Sequence, residues 1–594
     1  MSTDSSSALK AWTRALELTA PIGRNPRRIL PIVMDELADR YDAAPALVSK
    51  EASFSYRELS EESNRIARWA LAQGIRAGDV VCLLMSNCPQ YLAIWIGLTR
   101  IGAVVSLLNT NLSGSLLAHS INIVAPRLII VGADLAAGLE AVRAQLTGAI
   151  LWRAFGAGEH ELERLDEQIA PLPAAPLLES ECRTPLLEDH ALFIYTSGTT
   201  GLPKAANVSH FRLMQWSHWF AGLIDVTTKD HMYNCLPMYH SVGGVVATCA
   251  PLIGGGSVVL RRRFSAREFW SDVVEEGCTL FQYIGELCRY LVNTPHQPLE
   301  TRHHLRLCCG NGLRPDVWKQ FKTRFRIPRI LEYYASTEGN FSLYNCEGRE
   351  GAIGRIPPFL RHRVPVALVR YDVSTGAPLR DESGRCARCE PGEAGEAIGQ
   401  ILEADGRAAS RFEGYADAEA SAKKILRDVF VPGDAWYRTG DLMRRDAQGY
   451  FYFVDRIGDT FRWKGENVSS AEVAGEILSC TNVQEAVVYG VSVPGSDGRA
   501  GMAALVTGAD FDLGKFRAEL AARLPDYARP LFLRILTAIE ATGTFKPKTQ
   551  ELAAQAYDPS LMSDALYFDD RREQAYVPLD AELFAKLQAG ALRL

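Results

Sequence analysis

Short apolar runs and amphipathic stretches of helical period take turns through the first half of the chain. Leu30 to Tyr41 carries helical periodicity, and Ser53-Phe54-Ser55-Tyr56 leads into a second helix running through Leu59 to Trp69. Strand Val80–Leu84, helix Tyr91–Ile101, strand Ala103–Leu107, helix Leu112–Ile123 and strand Leu128–Val131 follow. Proline-rich Pro171–Pro185 reads as a surface connection. The alternation then resumes with the apolar run Ala191–Tyr195, helix His210–Phe220, strand Met232–Pro237, helix Gly243–Ile253, strand Ser257–Leu260, helix Ala266–Glu276 and strand Leu280–Ile284. Leu305–Cys309 and Ile330–Tyr334 read as two more strands. This spacing predicts an α/β fold built on open, mostly parallel sheets.

Beyond residue 350 the texture changes. Val364–Tyr371, Gly399–Glu403 and Tyr450–Val454 read as strands joined by Gly/Asp-rich turns. From Asp459 a compact succession begins: helix Ser470–Ser479, strands Val483–Tyr489 and Gly501–Val506, helix Leu513–Leu524 and strand Phe532–Leu536. The expected architecture is a large N-terminal domain of several subdomains over 1–457, with a β-rich part, and a small α+β C-terminal domain over 458–594. A length of 594 residues agrees with more than one folding unit.

A net charge of −6, from 64 basic and 70 acidic residues, gives no electrostatic case for a nucleic-acid partner. Thirteen scattered cysteines with a single C-x-x-C, Cys386 and Cys389, do not make a zinc ribbon and point to reduced thiols inside a cell. The N-terminus lacks a secretion signal, and no uninterrupted apolar run of about 20 residues occurs. A cytoplasmic protein is expected, with peripheral contact to the inner face of a membrane left open.

The candidate chemistry starts at Thr196-Ser197-Gly198-Thr199-Thr200-Gly201-Leu202-Pro203-Lys204. Glycines admit close approach of backbone N–H groups to an anion, hydroxyls add rotating donors, and the lysine brings a positive charge. The spacing is not that of a Walker loop, and a polar turn between strands has a similar composition. Further polar loops end other strands: Gly310-Asn311-Gly312-Leu313 and Tyr334-Ala335-Ser336-Thr337-Glu338. In open α/β sheets ligands bind beyond the carboxyl ends of strands. Tyr334 can stack on a base, and Glu338 can hold Mg²⁺. In Tyr437-Arg438-Thr439-Gly440-Asp441 a carboxylate in a tight turn can accept ribose hydroxyls, Asp455-Arg456-Ile457-Gly458-Asp459 places a charged pair before a glycine, and Thr542-Gly543-Thr544-Phe545-Lys546-Pro547-Lys548 carries two lysines. Singly, each could be a turn cap or a solvated charge.

Taken together, in this order, the motifs from about Leu30 to Leu552 resemble the acyl-adenylate-forming enzymes. Asp459-Thr460-Phe461-Arg462-Trp463-Lys464-Gly465-Glu466-Asn467-Val468-Ser469, Cys309-Gly310-Asn311-Gly312-Leu313-Arg314-Pro315 and Thr337-Glu338-Gly339-Asn340 resemble the fatty acid transport protein branch, the very-long-chain acyl-CoA synthetases. The resemblance implies ATP, Mg²⁺ and CoA, a long-chain fatty acid as substrate, and a two-step reaction through an acyl-adenylate. It implies that Thr196–Lys204 holds the β- and γ-phosphates, with Thr196 and Glu338 near the metal. Gly310, Asn311 and Gly312 would frame the adenine and acyl-carboxylate region, Tyr334 would pack on the adenine, Thr337 would contact the α-phosphate, and Asp441 and Arg456 would hold the ribose. Lys546 would bridge ATP and carboxylate, with Lys548 a second candidate. Gly458 would be a hinge for a mobile C-terminal domain, and Gly465 would admit pantetheine. His240 falls either near the acyl carboxylate or in the core. Trp216, Trp219, Phe220, Tyr283 and Ile284 are candidate acyl-tunnel residues. A ligase for a sterol or bile acid, and an uptake protein without chemistry, are the competing readings.

Overall fold

The computed structural model describes residues 7–197, 202–373, 375–402, 411–464, 466–494, 496, 498–542, 547–590 and 592. The chain forms two compact units, Met1–Val364 with Gln400–Ile425, and Pro365–Gly399 with Leu426–Leu594.

The first unit holds two largely parallel sheets. One runs in the order Leu151–Phe155, Leu128–Gly132, Val80–Leu84, Val104–Leu107, His190–Ser197, Pro203–Ser209, parallel throughout except for the last pair. Its inner strands, such as Val80–Leu84, are apolar on both faces, as expected where helices cover both sides. The other runs from Leu343–Asn345 through Ile330–Tyr334, Leu307–Asn311, Leu280–Ile284, His231–Asn234, Ser257–Leu260 and Pro45–Val48 to Ser53–Ser55. Only its terminal pairs are antiparallel. Helix Pro89–Arg100 is buried along almost its whole length, and its one cation, Arg100, is paired with Asp35 and bonded to the Pro31 carbonyl.

A helix over Ala8–Thr19, which the sequence reading did not include, lies along helix His210–Ile224. Small residues permit the close approach: a Cβ added to Gly222 would sit 2.5 Å from the Cα of Ala15. Trp12 then meets Trp219 edge-on at 5.9 Å and Tyr344 at 5.6 Å. The expected helix Gly243–Ile253 is instead a π-helical segment, Ser241–Val246, followed by helix Cys249–Ile253. The reason is steric, because Gly243 and Gly244 press against the carbonyls of Pro237 and Met238, where any side chain would collide.

The second unit has an antiparallel portion containing Val366–Val369, Ala394–Gln400, Ala435–Arg445 and Tyr450–Arg456. It also has a five-stranded sheet, in the order Val483–Ser492, Arg499–Thr507, Phe532–Leu536, Ala565–Asp570 and Ala575–Pro578. Helices Ser470–Leu478 and Leu513–Arg523 pack on that sheet over a core including Phe461, Trp463, Phe516 and Phe532. Among the described residues no helix is long and apolar enough to cross a membrane. All thirteen cysteines are unpaired, and ten are buried.

Candidate active site

Strands His190–Ser197 and Pro203–Ser209 form a hairpin in which Thr196 pairs with Lys204 and Ser197 with Pro203. Directly opposed residues of an antiparallel pair share a face, so Thr196 and Lys204 project from the same face of the hairpin strands. Gly198, Thr199, Thr200 and Gly201 lie outside the described residues.

Thr337 and Glu338 follow strand Ile330–Tyr334 and meet this hairpin through groups that the sequence reading missed. Glu338 is buried, and its Oε1 accepts a hydrogen bond from the Tyr415 hydroxyl at 2.8 Å. Thr196 neighbours the same phenol, and Lys204 Nζ lies 5.6 Å from the centre of its ring. Tyr415 sits on a short segment that pairs with Pro203–Ser209: Asn207 N donates to Gly414 O at 3.0 Å and Ala416 N to Ala205 O at 2.9 Å. Side chains lock that pairing. The Glu413 carboxylate accepts from Ser209 N at 2.8 Å and Ser209 Oγ at 2.7 Å. Arg212, buried beside Glu413, donates to Thr337 O at 3.0 Å and Arg411 O at 2.7 Å. Ser241 Oγ is 3.2 Å from Thr337 Oγ1.

The Gly310-Asn311-Gly312-Leu313 loop leaves strand Leu307–Asn311 under tight constraint. A Cβ on Gly310 would fall 2.3 Å from Tyr283 O, and one on Gly285 would fall 1.8 Å from Gly312 O. Gly312 has φ +76°, a conformation that glycine adopts without strain. From below, Glu332 Oε1 accepts from Leu313 N at 3.0 Å, while Oε2 accepts from the Tyr283 hydroxyl. Burial is the main cause that pushes the Glu332 carboxyl up to about 8. Tyr334 ends the same strand, its ring 6.1 Å from that of Phe341.

In the second unit Asp441 lies within strand Ala435–Arg445, not in a tight turn. Gly440, at φ +79°, and a register shift after Leu442 supply the local irregularity that the sequence reading took for a turn. Asp441 pairs across the ladder with Arg456, whose Nε is 3.8 Å from its Oδ1. The approach to Asp441 is braced by Arg438, which donates two bonds to Glu396 Oε2 and one to Oε1, with Glu396 itself fully buried. Asp455 accepts from Ser470 N at 2.6 Å and from Thr460 Oγ1 at 3.1 Å, joining the strand before Gly458 to the elements after it. Trp463 pairs with Glu466 across a two-residue connection, in which Lys464 has φ 52°. Gly465 and Lys546 lie outside the described residues. Lys548 is described, and it pairs with Glu540 at 3.0 Å.

Of the tunnel candidates, Phe220 packs against Tyr333 and Tyr344, Trp219 against Trp12 and Tyr344, and the Tyr283 phenol is committed to Glu332. Trp216 is half-buried beneath the Arg212 guanidinium at 5.7 Å, and Ile284 is half-buried at its strand end. The His240 ring lies 4.8 Å from that of Tyr239.

A hydroxyl–lysine hairpin beside a buried carboxylate at parallel-strand ends, together with a second α+β unit, is the arrangement of an adenylate-forming fold. Solved structures agree: an anthranilate CoA ligase in complex with anthranoyl-AMP superimposes with a TM-score of 0.77 at 20% identity, over 91% of this chain and 100% of that one. ATP-bound MatB from Rhodopseudomonas palustris gives 0.73 at 24% identity, over 88% and 98%. The AMP-binding enzyme family matches residues 34–396, and the AMP-binding enzyme C-terminal domain matches 472–546. The chain belongs to the AMP-binding enzyme family, within the long-chain fatty acid transport protein and very-long-chain acyl-CoA synthetase group. Long-chain fatty acid transport protein 1 of Mus musculus is 39% identical over 575 residues, covering 95% of this chain and 88% of the relative. The medium/long-chain-fatty-acid–CoA ligase FadD6 of Mycobacterium tuberculosis is 36% identical over 573 residues, covering 95% and 92%.

Proposed function

We propose that the protein is an ATP-dependent long-chain or very-long-chain fatty acid–CoA ligase. In the first step an oxygen of the substrate carboxylate attacks the α-phosphorus of ATP; the bond from that phosphorus to the bridging oxygen breaks and pyrophosphate leaves. In the second step the CoA thiolate attacks the acyl carbonyl carbon, and AMP leaves with the bonding pair of the acyl–oxygen bond. The observation that carries this reading is the convergence of Thr196, Lys204, Thr337 and Glu338, from segments far apart in the chain, on Tyr415 and Arg212.

The residue roles follow from chemistry. Lys204 and the Thr196–Gly201 loop (Ser197, Gly198, Thr199 and Thr200 included) balance the β- and γ-phosphate charge that departs as pyrophosphate. Thr337 faces the α-phosphate. Gly310, Asn311, Gly312 and Tyr334 frame the adenine, on a loop whose backbone N–H at Leu313 is held by Glu332. Asp441 and Arg456 take the ribose hydroxyls, Lys546 bridges carboxylate and α-phosphate during adenylation, and Gly465 leaves room for pantetheine. A carboxylate and a hydroxyl, Glu338 and Thr196, are hard oxygen donors suited to Mg²⁺ sharing its shell with phosphate oxygens. When bound there, Mg²⁺ would neutralise polyphosphate charge. Rotation about Gly458 would exchange the two steps.

The fatty-acid preference is supported by what relatives are named for, long-chain and medium/long-chain fatty acids. The test is AMP release that depends on CoA, measured across fatty acids of increasing length and across sterol acids. Highest kcat/KM with a long-chain acid is expected. A sterol-acid preference would overturn the substrate, and no AMP with any acid would overturn the ligase.

A further inference from the structure

The segment Arg411–Ala416 has no place in the reaction as described, yet it touches Ser209, Arg212 and Glu338 around the candidate phosphate site. Its backbone extends the hairpin sheet, and Glu413 and Arg212 bind it to Ser209 on one side and to the Thr337 carbonyl on the other. The result is to fix one side chain, Tyr415, packed between Ala206 and Ala420. Its hydroxyl donates to Glu338, with Thr196 beside it, and its ring face lies toward Lys204.

A tyrosine buried only for packing needs one hydrogen-bond partner. Here that partner is the Glu338 carboxylate assigned above to the metal, with Thr196, the hydroxyl assigned to it, beside the phenol. A phenol held rigidly from behind fixes the rotamer of a carboxylate, which otherwise swings freely on its side chain; the conformational cost of ordering Glu338 is then met when the chain folds, not when nucleotide binds. The aromatic face offers the ammonium of Lys204 a favourable resting place without neutralising it, so the charge stays available to phosphate.

We infer that Tyr415 is a positioning residue of the nucleotide site, ordering Glu338 and Thr196 for metal-bound ATP and aligning Lys204. This rests on the ligase reading. Tyr415 lies outside the sequence motifs quoted above.

Tyr415→Phe removes only the hydroxyl and keeps the ring between Ala206 and Ala420. Binding of ATP is measured by calorimetry, without acid or CoA, in Mg²⁺ and in EDTA. The expected result is about tenfold weaker binding in Mg²⁺, the size of one hydrogen bond to a charged group, with less than about twofold change in EDTA. In Mg²⁺, adding Tyr415→Phe to Glu338→Gln should cause no further loss, because both act on the same carboxylate. Equal losses in Mg²⁺ and EDTA, or additive losses in the double variant, would overturn the inference. So would unchanged binding by Tyr415→Phe in a wild-type background that binds ATP and releases AMP. A wild type that binds no ATP would instead overturn the ligase reading beneath it.

Discussion

Thr196 and Lys204 are direct cross-strand partners, so the two described ends of the candidate phosphate segment belong to one antiparallel pair. A hairpin positions its two ends by backbone ladder, which ties the lysine to the strand that carries the threonine. Lys204→Ala should therefore leave thermal stability unchanged while lowering ATP–pyrophosphate exchange about a hundredfold, through loss of a preorganised cation at the leaving group. A parallel drop in melting temperature would mean the residue works through the hairpin instead.

Glu332 gives a pH-dependent prediction. Burial holds its carboxyl protonated in the folded chain up to about 8, against an ordinary 4.5. Between those values the folded state binds more protons than the unfolded state, so this group's contribution is complete below about pH 4.5 and is lost as pH rises toward 8. Glu332→Gln has nothing to titrate, and the Tyr283 hydroxyl can turn to accept from the new amide. Urea unfolding should show a flatter stability profile for the variant across that window, with the two proteins nearest in stability at its acid end.

Gly458→Pro should preserve acyl-adenylate formation and abolish thioester formation. A Cβ at this position would meet nothing within 4 Å. Single-turnover assays of each half-reaction check it. Loss of both would assign Gly458 a structural role.

The two C-terminal lysines should differ. Lys548 is occupied by Glu540 on the surface, and its backbone N–H donates to the Glu540 carbonyl. Lys548→Ala is expected to change pyrophosphate exchange less than about twofold, whereas Lys546→Ala should lower it about a hundredfold.

The strand ends and the order of the polar loops were legible because apolar runs bounded by glycine carry their own signal. Tyr415 was not. Arg411–Ala416 has no period of its own, and it is placed by the Ala206–Tyr415 bridge to Pro203–Ser209, a pairing that local sequence does not encode. Glu332 hides for a different reason: one carboxyl in the apolar strand Ile330–Tyr334 looks like a solvent-facing position until its partners are known. Asp441 was read as a turn residue because Thr439-Gly440-Asp441 has turn composition, although the kink sits inside a continuous strand. Helix Ala8–Thr19 did leave a trace, with Ser7 as cap and Ala11, Trp12, Ala15 and Thr19 buried at helical spacing.

That helix carries a consequence for synthesis. Its partner surface around Gly222 lies 208 residues after Arg14, which donates to the Gly222 carbonyl. At ribosomal rates of about 5–20 residues per second, the nascent helix waits roughly 10–40 s before the surface it docks on has emerged. During that interval Trp12 and its neighbours stand uncovered. The helix is thus made well before the surface that covers its apolar face.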